Sequence, residues 1–207
     1  MGTLCLYAMP LDDVRAFFAA PPRLAGELIT QAGDVIPEPP RLIRKLGPLV
    51  RRPAAPLVDL PGPTADDARA LVEGRSLPPE RLAPAWVIIR HWCDLHAAAK
   101  IAFDLTSKQI ENLDFCLVSG GLSSQFSLGT MIARDPHLPV RPAPGLQVGW
   151  IPHHYVVQAE AQWRDTVAEC PVADDDLVAV KDQLAEFFAH LSDAADGPQM
   201  DLLALFQ

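Results

Sequence analysis

Apolar side chains fall into a few periodic stretches separated by proline- and glycine-rich breaks, and the period within each stretch predicts the element it forms. Leu4, Leu6 and Ala8 alternate with Cys5, Tyr7 and Met9, all largely apolar, which predicts a strand over residues 4–9 buried on both faces. Pro10 opens a turn, and Leu11, Val14, Phe17 and Phe18 follow at helical spacing until Pro21-Pro22. A second helix is expected over Arg23 to Gln31, ending at Gly33, and a third over Arg41 to Val50, weakened by Gly47-Pro48. The proline-rich stretch around residues 37–63 reads as a connector. Thr64 then caps a helix over Ala65 to Glu73, with Gly74 as its C-terminal signal.

From Pro84 the pattern becomes continuously apolar, and Trp86, Ile89, Cys93, Ala97 and Ile101 mark one stripe of a central helix. Phe115 to Val118 reads as a short buried strand entering a tight turn at Ser119-Gly120-Gly121. Residues 135–152 carry the proline and glycine of a surface crossing, after which Pro152 opens a helix with Val156, Ala159, Trp163 and Val167 on one side. Beyond Asp174-Asp175-Asp176, which favour the positive pole of a helix, Leu177, Val180, Leu184, Phe187 or Phe188, and Leu191 step by threes and fours. After Gly197-Pro198, Leu202 to Phe206 predicts a last strand beside the first, tying both ends of the chain into one sheet. These elements predict a single α+β domain over residues 1–207. Its small mixed sheet has strands near 4–9, 115–118 and 202–206, covered by the central, 153–168 and 175–193 helices.

Composition narrows the functional classes. A chain of 207 residues suits one core, and 21 prolines imply many breaks between short elements. The net charge of −9 opposes a sequence-independent grip on nucleic acid, and the one basic stretch (Arg41, Arg44, Lys45, Arg51, Arg52) has no aromatic residues for stacking bases. The four cysteines (Cys5, Cys93, Cys116, Cys170) form no CxxC pair and no metal-ligand spacing. With no secretory pattern and no apolar run near 20 residues, a cytoplasmic protein off the membrane is expected. No metal or cofactor is called for.

Candidate chemistry is sparse: HExxH, GxSxG, GxGxxG and the Walker loop are all missing. His91, Cys93, Asp94 and His96 crowd the central helix, but at about 100° per residue only His91 and Asp94, about 60° apart, form a natural acid-base pair. His153 and His154 diverge by about 100°, too far to share a metal. Ser119-Gly120-Gly121-Leu122-Ser123-Ser124 resembles the SGGxDS phosphate loop of ATP pyrophosphatases, with Ser123 where that loop has Asp. The expected role is a structural turn, whose amides could also meet an anion. Trp92 and Trp150 belong to no apolar stripe and join Ser119, Gly120 and Gly121 as candidate ligand-binding residues.

Read in order, these blocks resemble the YfbM-like domain family, small bacterial proteins of unknown function. The resemblance runs from Met1-Gly2 with its apolar strand and the Leu11 to Phe18 helix to Leu82-Ala83-Pro84-Ala85-Trp86. It continues through Val118 to Gly121, Gly149-Trp150-Ile151-Pro152, and Phe187-Phe188 to Ala194-Ala195 with the closing strand. Where that family places a histidine four residues after the tryptophan this chain has Arg90, and His91 follows it. The resemblance implies an α+β fold and no particular chemistry. Charge and the missing signatures point to an accessory or interaction protein that binds a protein partner through an acidic face. The alternative is a small-molecule-binding enzyme using His91 and Asp94. Because Trp86 heads an apolar stripe, Trp86→Ala is expected to cost about 3 to 5 kcal/mol, read from the urea midpoint.

Overall fold

The computed structural model describes residues 2–37, 62–169, 175–193 and 200–207. The helix expected over 41–50, most of the proline-rich stretch, Cys170 and Ala194-Ala195 lie outside the described residues. Along the chain come β1 (Gly2–Ala8), α1 (Leu11–Arg15), α2 (Pro22–Ala32), α3 (Ala65–Val72), α4 (Pro79–His96) and β2 (Ala99–Leu105). Then follow α5 (Ser107–Ser119), a 3-10 turn (Ser124–Phe126), α6 (Leu128–Ala133), β3 (Gln147–Ile151), α7 (His153–Glu169), α8 (Asp175–Asp193) and β4 (Leu202–Phe206). The architecture is α+β. Two compact units divide it, one made of Met1–Ala16 with Cys93–Gln207 and the other of Phe17–Trp92.

The larger unit is organised on a four-stranded sheet of order β2-β1-β4-β3. Every pairing is antiparallel, so the sheet is not the mixed one expected. Leu4 lies opposite both Phe103 and Phe206, and Leu6 opposite Ile101 and Ala204, which sets one continuous apolar face. That face packs against Leu113 of α5, Met131 of α6, Trp163 of α7 and Phe188 of α8 in a single core. Cys5, Tyr7, Leu203 and Leu205 on the opposite face are buried too, which is why β1 and β4 read as apolar runs rather than alternations. Thr3 and Gln207 exchange both backbone hydrogen bonds, at 2.7 and 3.2 Å, so the two ends of the chain meet as expected.

Three further expectations are corrected in this unit. Phe115 to Val118 is helical: it belongs to α5, whose capping box joins Thr106 Oγ1 to the Gln109 amide and Gln109 Oε1 to the Thr106 amide. A four-residue apolar run fits strand or helix alike, and here Ile110, Leu113 and Leu117 supply the buried helical stripe. The central helix ends at His96, and Ile101 sits in β2, where Ile101, Phe103 and Leu105 alternate with exposed Lys100, Ala102 and Asp104. The expected surface crossing contains β3, which is possible only because residue 149 is glycine. A Cβ there would stand 2.1 Å from the Met131 carbonyl oxygen and 2.6 Å from Ile132 Cα.

Partly buried acids hold helix starts in place. Asp114 on α5 accepts from the amides of Leu128 and Gly129, at 2.7 and 2.8 Å, and so caps the first turn of α6 from outside. Burial pushes its carboxyl above the usual range, and the two amides offset only part of that shift. Asp201 bridges two helix starts, accepting from the Leu11 amide through one oxygen and the His153 amide through the other, each at 2.8 Å.

In the smaller unit Trp86 is buried, as its periodicity predicts. Trp92 is fully enclosed, its Nε1 donating to the Leu28 carbonyl at 3.0 Å and its ring meeting Phe17 edge-on at 5.5 Å. The sequence cap of α3 is confirmed at Thr64, and Gly74 ends it with a φ of 66°, its amide donating to the Leu71 carbonyl and that of Arg75 to Ala70. The third residue of that helix, Asp67, is a buried carboxylate that accepts from the Thr64 amide at 2.8 Å and from Arg81 Nε at 2.9 Å and Nη2. Burial alone would raise its pKa, but the hydrogen bonds from Arg81 and Thr64 outweigh it and hold the carboxyl below the usual aspartate value of 3.8.

Two outcomes follow from this packing. Gly149→Ala forces the backbone of α6 away from β3 and is expected to cost at least about 3 kcal/mol, seen as a lowered urea midpoint. Asp67 has a depressed pKa when folded, so its contribution is complete above about pH 4 and lost as pH falls through the folded value. Asp67→Asn is accordingly expected to lower stability by about 2 to 4 kcal/mol at pH 7, with the gap from wild type narrowing below pH 4 in urea titrations.

Candidate functional site

The sequence candidates divide between different environments. Asp94, near the end of α4, is already engaged: its Oδ1 accepts from the Tyr7 hydroxyl at 3.1 Å and from Lys100 Nζ at 2.8 Å. His91 points its Nε2 towards Asp34 at 3.7 Å, beyond hydrogen-bond reach, and this buried nitrogen has no hydrogen-bond partner among the described residues. Of the two side chains proposed from helical spacing as an acid-base pair, Asp94 is thus bonded to Tyr7 and Lys100, while His91 Nε2 makes no hydrogen bond to a described residue. Cys93 beside them is sealed in apolar surroundings that push its thiol far up from its ordinary value, with the Asp94 charge adding to the shift, so it is no nucleophile.

The glycine turn follows a helix instead of a strand. The Gly120 amide donates to Cys116 at 2.9 Å, that of Gly121 to Val118 at 3.1 Å and that of Leu122 to Leu117 at 2.9 Å. With Gly121 at a φ of 110°, these residues and Ser119 close the C-terminus of α5. A helix C-terminus carries the negative pole, and the amides that an anion would need are already bonded to carbonyls. Trp92 likewise presents no surface to a ligand.

Trp150 differs. It is half-buried on β3, with a buried indole Nε1 that has no hydrogen-bond partner among the described residues. Its amide donates to the Arg134 carbonyl at 2.9 Å, which fixes the strand to the end of α6. The Arg134 guanidinium carbon lies 5.9 Å from the Trp150 ring centre and 4.5 Å from that of Tyr155, whose ring also meets His154 at 4.7 Å and Phe126 edge-on at 6.1 Å. Arg134 and Tyr155 escaped the sequence reading because they stand 16 and 5 residues from Trp150, the first just past α6 and the second in α7. The arrangement combines a cation held over aromatic faces with an unengaged indole donor.

On α5, Phe115 is 74% exposed and Val118 40% exposed, one turn apart, with exposed Glu111 one turn before them. No group of three or more His, Cys, Asp or Glu side chains suited to a metal ion occurs among the described residues, and none of their helices is long and apolar enough to cross a membrane. Comparison with known protein families, with characterised proteins and with solved structures finds no match. The likeness to the YfbM-like family therefore stands on the sequence blocks alone.

Proposed function

We propose that this chain is a non-enzymatic interaction protein, of YfbM-like kinship, that binds a protein partner. The observation carrying this reading is Phe115, a large aromatic side chain displayed at 74% exposure on a well-capped helix beside Val118. Exposed aromatic anchors of this kind contribute most when a partner's pocket encloses them. The chain's net charge of −9 selects a partner with a basic rim, which it attracts at long range. The reading is further supported by the engagement of Asp94, Gly120, Gly121 and Trp92 in structural bonds, which leaves little for catalysis.

A second reading rests on Trp150. A cation over two aromatic rings next to an unengaged N–H suits a small anionic or aromatic ligand, bound rather than transformed. Native mass spectrometry of freshly isolated protein separates the two. The first reading expects a retained protein partner that is lost in Phe115→Ser, whose stability should stay within about 0.5 kcal/mol of wild type because the side chain is exposed. A retained small molecule without a protein partner, released by Trp150→Phe, would overturn it in favour of the second.

A further inference from the structure

We propose that β2 is a self-complementary edge through which two copies of this chain join their sheets into one. Backbone hydrogen bonding decides which groups the edge offers. Thr3 and Gln207 exchange both bonds and Met9 donates to Asp201, so the odd-numbered residues of β1 turn their peptide groups towards β4. Its even-numbered residues therefore face β2, and by the register Leu4 with Phe103 and Leu6 with Ile101, the odd-numbered residues of β2 are those bonded to β1. Lys100, Ala102 and Asp104 are left with their amides and carbonyls directed outward from β2, the last strand of the sheet among the described residues. All three side chains are exposed.

An edge that carries charge ordinarily resists pairing, because a second copy brings like charges together. Here the charges are of opposite sign and lie symmetrically about Ala102. A two-fold axis through Ala102 sets Ala102 opposite its own copy and Lys100 opposite Asp104 in both directions. On the core face the same axis sets Ile101 opposite Phe103, and the partly exposed Ile101 gains an apolar neighbour. Axes through Lys100 or Asp104 would instead oppose two ammoniums or two carboxylates. The outward peptide groups fall in the hydrogen-bonded positions of the favoured register, so backbone bonds and charge agree on one pairing. Within the chain, Lys100 donates to Asp94 at 2.8 Å and Asp104 accepts from the hydroxyl of Thr3, its cross-strand neighbour on β1, at 2.8 Å. Exposed ion pairs are weak, so the charges select the register while the backbone ladder and apolar pair supply the association.

The inference concerns a different surface from the α5 face and does not depend on it. Sedimentation velocity over a concentration series of the full chain should show wild type moving from one to two chain masses, and Phe115→Ser doing the same. Lys100→Asp alone and Asp104→Lys alone oppose like charges in the paired state and should remain monomeric. Mixed in equal amounts, these two variants present acid against base at both positions and should recover the dimer as a heterodimer. Ala102→Pro removes the central outward amide without touching the bonds to β1, and should stay monomeric with an unchanged urea midpoint. A wild type that stays monomeric throughout, single charge variants that associate as wild type does, or a mixture that fails to recover the dimer would each overturn the proposal.

Discussion

The pairing of β1 with β4 is the constraint on which the larger unit depends. It joins residues from opposite ends of the chain, so no local contact can stabilise it, and ordering everything between them must be offset elsewhere. That offset comes from burial on both faces: Leu4 and Leu6 on one side and Cys5 and Tyr7 on the other are all withdrawn from water. Once β4 is seated, its free side receives β3, and β1 receives β2. The helices of the core then cover a face whose composition the two terminal strands have already set.

The acidic character of the chain takes a different meaning once its carboxylates are located. Asp67, Asp114 and Asp201 each serve a helix start, where amides lack partners and the dipole is positive. Two of the helices so held, α1 and α6, are too short to persist alone, and their capping acids come from distant parts of the chain. Partly buried Asp114 and buried Asp67 serve similar ends but shift in opposite directions: Asp114 has only amides to offset its desolvation, whereas Asp67 has a guanidinium as well. An acidic net charge is therefore not by itself a binding face. What remains for partners is set by the side chains that no structural bond occupies.

The elements legible in the sequence were those whose local signal and tertiary environment agree. β1 and β4 are apolar runs of strand length, α7 and α8 carry long stripes, and Thr64 and Gly74 bracket α3 with residue types suited to their backbone geometry. The errors have equally local causes. Phe115 to Val118 counts as apolar whichever way it points, and nothing in its composition reveals that Leu117 alone is fully enclosed while Phe115 faces outward. Ile101 fits both an extended helical stripe and the alternation of β2, and the short break after His96 decides between them. For the candidate site, aromatic composition placed Trp92 and Trp150 in one class, yet a carbonyl from Leu28 satisfies the first, whereas the second keeps an unengaged donor under Arg134. Hydrogen-bond partners supplied from distant elements leave no trace at the position itself.

The two features that no described residue occupies, the outer edge of β2 and the exposed face of α5, lie in one continuous segment of the chain. Between them stands only Thr106, whose amide and hydroxyl are both bonded to Gln109 at 2.9 to 3.2 Å. That capping box fixes the angle at which the strand passes into the helix, and the helix is further anchored through Leu113 and Leu117 in the core. Edge and helix face are therefore presented by one rigid corner and cannot be reoriented independently. Any second chain that extends the sheet at β2 brings its own α5 to a fixed position relative to the first. A dimer formed at that edge would thus offer a partner two copies of Phe115 at a set spacing, and a bivalent partner gains from that spacing far more than either contact alone provides.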